Sequence, residues 1–196
     1  MIKLKIDAKK LGVSDKILNK LGENADKVQI DALNRTITGM RTDGTRLIVK
    51  ESGLKRPIVF KSFRLYQANK KQDALGASVV ISGKTIPLYQ FAPKPSSPMT
   101  GRTKGGVRIR VGKSKIQFKH AFIGKMPSNH IGMFQRQISK KNKKGREPII
   151  EMFGPSMPQI AHREEIENEV MKKAEERFNK RFDQQADRFL KKQGLK

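Results

Sequence analysis

The chain has 196 residues, with 43 Lys and Arg against 18 Asp and Glu, giving a formal net charge of +25 at pH 7. The absence of cysteine excludes disulfides, thiolate catalysis and Cys-ligated zinc, and 6% aromatic content without tryptophan argues against a stacking platform for single strands. No apolar run approaches the length of a membrane span, so the expectation is one soluble domain, folded in a cytoplasm, with a negative partner.

The first residues alternate. Ile2, Leu4 and Ile6 interleave with Lys3, Lys5 and Asp7, which predicts a short half-buried strand and not a secretory signal. Residues 1–23 read as this strand plus an arm, with Ser14 or Asn24 as helix caps. Residues 24–52 then carry Ala25, Val28, Ala32, Leu33, Ile37, Met40, Leu47 and Ile48 at three- and four-residue spacings. That pattern predicts a long amphipathic helix, weakened at Gly39 and Gly44 and ended by Gly53. Lys55-Arg56-Pro57 reads as an extended connection.

After Gln72 the period changes to two, and residues 74–154 read as a sheet region with strands at 77–82, 85–91, 107–111, 116–123, 131–137 and 149–153. In Val107-Arg108-Ile109-Arg110-Val111 three β-branched residues face one way and two arginines the other. Gly112-Lys113-Ser114 turns this strand into a hairpin, so the sheet has one apolar and one basic face. Residues 92–106 form a Pro-, Gly- and Ser-rich loop expected to be mobile in the isolated chain, and 139–146 a basic loop with a turn at Gly145. Residues 162–193 close the chain as a second long helix. Ile166, Val170, Ala174, Phe178, Phe182, Ala186 and Leu190 form its i, i+4 row, with glutamates at its start and Lys191 and Lys192 at its end. The fold class is α+β: a mainly antiparallel sheet of about five to six strands packed with a long N-terminal and a long C-terminal helix.

Residues 74–146 contain no Asp or Glu and sixteen Lys and Arg. Within them Arg108 and Arg110 on a strand, and Arg102, Lys104, Lys140, Lys141, Lys143 and Lys144 on loops, are the candidate contacts to DNA or to an acidic partner. Catalytic signals are weak. His162-Arg163-Glu164-Glu165 lacks the second histidine of a metalloprotease helix and reads as a helix start. His120, placed in a strand, and His130 have no third ligand within sequence reach. Glu147 reads as a local ion-pair partner, and Thr103-Lys104-Gly105-Gly106 matches no nucleotide-binding loop. The carboxylate cluster that a nuclease needs for magnesium is missing. No catalytic residue, cofactor site or metal site is assigned.

The order of phrases along the chain carries a resemblance. Pro57-Ile58-Val59-Phe60 and Thr85-Ile86-Pro87-Leu88-Tyr89-Gln90-Phe91 lead to Gly106-Val107-Arg108-Ile109-Arg110-Val111. His120-Ala121-Phe122-Ile123-Gly124, Met133-Phe134-Gln135-Arg136, Arg146-Glu147-Pro148-Ile149 and Gly154-Pro155-Ser156-Met157-Pro158 follow. From about residue 24 onward this series resembles the minor tail protein Z family of tailed bacteriophages, the tail completion proteins. The resemblance implies a non-enzymatic virion protein without cofactor at the head-proximal end of the tail, assembled in the host cytoplasm and acting in tail completion and head–tail joining. It also implies a homo-oligomeric ring, six-fold by analogy, whose partners are tail terminator, tail tube or neck connector proteins and genomic DNA, with no membrane. The basic loop at 139–146 departs from the family pattern, so its role is not inherited. Charge alone supports the alternative of a free, sequence-nonspecific nucleic-acid-binding protein.

Overall fold

The computed structural model describes residues 1–7, 15–70, 75–98, 105–111, 114–137, 140–141, 145–192 and 194. Two long helices dominate it: α2 (Ala25–Ser52) and α5 (Glu164–Lys192) pack along each other. Every member of the i, i+4 row of α5 is buried, and the Phe178 and Phe182 rings stack with centroids 6.0 Å apart. Helix α2 lies between α5 and a sheet and is therefore buried on more than one side. Gly44 marks a close passage: a Cβ there would meet the Phe63 ring at 3.1 Å and Val170 at 3.7 Å.

The buried hydroxyls of α2 are satisfied locally. Thr36, Thr45 and Ser52 each donate a side-chain hydroxyl to the carbonyl four residues back, at 2.8, 2.6 and 2.5 Å. Asp43, also buried, accepts a hydrogen bond from the Arg177 guanidinium of α5. The helix ends as its sequence requires, with Gly53 left-handed at φ 72° and its N–H donating to the Val49 carbonyl.

The α+β class and the two long helices are as expected, whereas the strands fall into several small sheets. Among the described residues there are ten strands in four antiparallel sheets. In the first, β3 (Gly76–Ile81) lies between β1 (Ile2–Asp7) and β2 (Phe63–Tyr66), which explains its nearly unbroken burial. The hairpin of β5 (Val107–Val111) and β6 (Ser114–Phe118) is the second. The third has β8 (Ile131–Arg136) between β7 (Ala121–Lys125) and β9 (Ile149–Glu151), and the fourth pairs β4 (Thr85–Pro87) with β10 (Phe153–Ser156).

Several boundaries differ from the sequence reading. The expected strand at 85–91 stops at Pro87, which lacks a donor, and Leu88–Phe91 turn as a 3-10 helix that buries Leu88 and Phe91. The expected strand at 116–123 breaks at a turn through Lys119 and His120, so His120 is an exposed turn residue. The strand at 149–153 breaks at Met152, whose N–H donates to Met133 and whose carbonyl accepts from Leu88, both at 2.9 Å, linking two sheets. Lys55 is extended, but Arg56–Lys61 form a short helix, α3, with Pro57 in its first turn, where no N–H is needed. Asn24 makes no side-chain cap, because a 3-10 turn (Gly22–Asn24) leads straight into α2. A short helix α1 (Asp15–Leu21), ending on buried Leu21, occupies part of the segment read as an arm; Ser14 lies outside the described residues.

The Gly154-Pro155-Ser156-Met157-Pro158 phrase is a helix start. Ser156 and Gln159 form a capping box at the head of α4 (Met157–Ala161): Ser156 N–H donates to the Gln159 side chain at 2.8 Å, and Gln159 N–H donates to the Ser156 hydroxyl at 3.4 Å. The final helix begins at Glu164 and not at 162, since His162 caps α4.

Candidate functional site

The basic hairpin is built by register. Strands β5 and β6 pair with Val107 opposite Phe118, Arg108 opposite Gln117, Ile109 opposite Ile116 and Arg110 opposite Lys115. Val107 and Ile109 are buried in the core, which turns Arg108 and Arg110 outward. Lys94 joins the sheet on the other side of β5: it exchanges two backbone hydrogen bonds with Arg108, at 2.8 and 2.9 Å. Directly opposed residues share a face, so Lys94, Arg108, Arg110 and Lys115 form one exposed cationic patch, with Gln117 at its edge.

The base of the hairpin is fixed. Gln117 donates its side-chain amide to the Gly105 carbonyl at 2.6 Å. Gly106 is left-handed at φ 74°, and a Cβ there would collide with the backbone of Phe118 and Lys119. Beyond Pro93, the Tyr89 hydroxyl donates to the Ser96 carbonyl at 3.2 Å, so the described beginning of the 92–106 loop is tied to the body.

The structure therefore gathers Arg108 and Arg110 and adds Lys94 and Lys115, which strand-by-strand reading passed over. Lys94 stands in a Pro-rich stretch with no strand pattern, and only pairing with Arg108 reveals its place. Lys140 and Lys141 are exposed but follow β8 of another sheet, where the Lys140 N–H donates to Gln137 at 3.2 Å. Arg102, Lys104, Lys143 and Lys144 lie outside the described residues.

The histidines are engaged in pairs. His130 Nε2 lies 2.9 Å from Glu151 Oε1, and His162 Nδ1 lies 2.9 Å from Glu167 Oε2. Among the described residues no group of three or more His, Asp or Glu side chains is arranged to hold a metal ion. None of their helices is long and apolar enough to cross a membrane.

The sequence profile of the prophage minor tail protein Z family matches residues 11–193, nearly the full length of the chain. The chain belongs to the minor tail protein Z family. Membership places it among phage minor tail proteins, structural components of the virion. No curated protein and no solved structure gives a significant match.

Proposed function

We propose that this minor tail protein is a tail completion subunit, seated at the head-proximal end of the tail and required for joining tail to head. The observation that carries the reading is the cationic hairpin face, in a chain whose family makes it a tail component. Arg110 stands directly opposite Lys115, and Arg108 opposite Lys94, so cationic residues adjoin across both pairings of β5. In the neck the anionic partner is either the DNA passing through it or an acidic connector or terminator protein.

A ring of copies is part of the same proposal. Glu165, Glu169, Glu176, Asp183 and Asp187 share one exposed face of α5 by the 3.6-residue period. Lys172, Lys173 and Lys180 lie on the same face, and Lys173 pairs with Glu169, so this face is of mixed charge and the ring rests on closed symmetry as the usual way to cap a tube.

Phage lacking the chain should release filled heads and free tails that electron microscopy finds unjoined. The hairpin variant Arg108→Glu/Arg110→Glu should fold normally yet fail to restore joining. Intact, infectious particles without the protein would sink the assignment. Filter binding of duplex DNA across a salt titration separates the partners: affinity falling steeply with salt favours DNA, and weak, flat binding favours an acidic protein.

A further inference from the structure

A second basic surface lies in the open groove between α2 and α5, far in sequence from the hairpin. Arg35 and Arg46 of α2 and Arg177 and Arg181 of α5 line it, and Asp43 is the one acidic residue in its walls. The groove has a volume of about 690 Å³. We propose that it is a phosphate-binding site, taking phosphate oxyanions either of a free polyphosphate compound or of a nucleic-acid backbone.

Most polar groups of the groove are already engaged. Asp43 accepts from Arg177 and lies 4.0 Å from Arg46, so the single carboxylate fixes Arg177 and leaves three positive charges in excess. Arg177 reaches Asp43 by lying across Gly39, where any Cβ would occupy the space of its guanidinium. Thr38 and Thr42 donate their hydroxyls to the carbonyls of Asn34 and Thr38 at 3.0 and 3.2 Å. The Asn34 amide is engaged in both directions with the Ala68 backbone. Recognition therefore falls to guanidinium groups. Arg35 and Arg181 form no ion pair among the described residues, and Arg181 is braced by donating to Gln184 at 3.1 Å.

Guanidinium forks match phosphate oxygens in bidentate geometry. A protein carboxylate would neutralise one of the three excess charges, whereas a polyphosphate or successive phosphodiesters would neutralise all of them. No aromatic side chain lines the groove, so bases have nothing to stack on and the phosphate is what is read. The site does not depend on where the protein sits in the tail, so failure of the joining experiment leaves it untouched.

The test uses the isolated full-length chain and tripolyphosphate, followed by calorimetry at low salt. Binding should be saturable. Arg35→Gln/Arg181→Gln should weaken it about tenfold, through the loss of two charge-assisted contacts, while Lys3→Gln/Lys5→Gln, at exposed positions of β1, leaves it unchanged. If the groove double variant does not fold, Arg46→Gln decides: its side chain is 75% exposed and removable without disturbing the core, and a loss of about threefold is expected. A 20-base-pair duplex distinguishes the sources. A weaker duplex complex whose salt slope falls by about two in the groove variant identifies backbone phosphates, and an unchanged duplex affinity identifies a free phosphate compound. Absence of saturable tripolyphosphate binding, unaltered binding by the groove variants, or equal loss in groove and β1 variants would overturn the proposal.

Discussion

Gly39 stands in the middle of α2, where glycine costs about 1 kcal/mol relative to alanine. Helix propensity alone therefore makes Gly39→Ala stabilising. The structure reverses the sign, because the new methyl would displace Arg177 and leave Asp43, only 12% exposed at its side chain, without its strongest partner. Denaturant titration of Gly39→Ala should show a loss of stability. In an Arg177→Ala background the same change should instead gain about 1 kcal/mol, since only propensity remains. Equal effects in both backgrounds would show that Arg177 does not depend on this glycine. A milder residue-level effect belongs to Glu169. The Lys173 ammonium donates to it at 2.7 Å and holds its carboxyl below the ordinary 4.5, while Lys173 is raised above 10.5. A depressed carboxylate pKa contributes stability at neutral pH that is lost as pH falls through the folded value. NMR titration should find Glu169 below 4.5, and Lys173→Met should return it towards that value.

The C-terminal helix is the element that its sequence states most openly. An i, i+4 row of seven apolar residues has one way to be buried, and all seven are. Phe178 is fully buried, so Phe178→Ala should cost about 3–5 kcal/mol in chemical denaturation; a near-zero cost would mean that α5 is not packed in the free protein. The hairpin was equally legible, because alternation of Val107, Ile109 and Val111 with two arginines fixes a strand and both of its faces. The breaks at Pro87, at Lys119–His120 and at Met152 were not. Each is a point where one or two backbone groups leave the ladder for a turn or another sheet, and Met152 is decided by partners in β8 and at Leu88, distant in the chain. The groove was hidden for the same reason, since Arg177 and Asp43 are 134 residues apart and neither sits in a motif. Loop and hairpin cations separate by a different experiment. Lys140→Glu, Lys141→Glu, Lys143→Glu and Lys144→Glu together should not lower the melting temperature while impairing docking or DNA positioning. A large drop in melting temperature would make that loop part of the fold.

At the scale of the whole molecule the dominant fact is 43 cationic against 18 anionic side chains. Lys173 pairs with Glu169, Arg46 and Arg177 lie within 4.0 Å of Asp43, and His130 and His162 lie against Glu151 and Glu167. Exposed pairs of this kind contribute at most about 1 kcal/mol each. Against them stands the mutual repulsion of the excess cations, which opposes compaction of the free chain. Salt screens both, but the repulsion is summed over many more and longer distances, beyond the ~10 Å Debye length at 0.1 M. The melting temperature should therefore rise between about 20 and 200 mM sodium chloride, and rise further with sulfate, which is excluded from apolar surface and also binds cationic sites. Ordinary surface ion pairing would predict the opposite slope. If stability falls with added salt, the excess charge is already balanced within the chain, and neither the hairpin nor the groove is waiting for an anion. If it rises, charge reversal at Arg108 and Lys115 should raise low-salt stability while removing a contact to the partner, separating what the patch does for assembly from what it costs the fold.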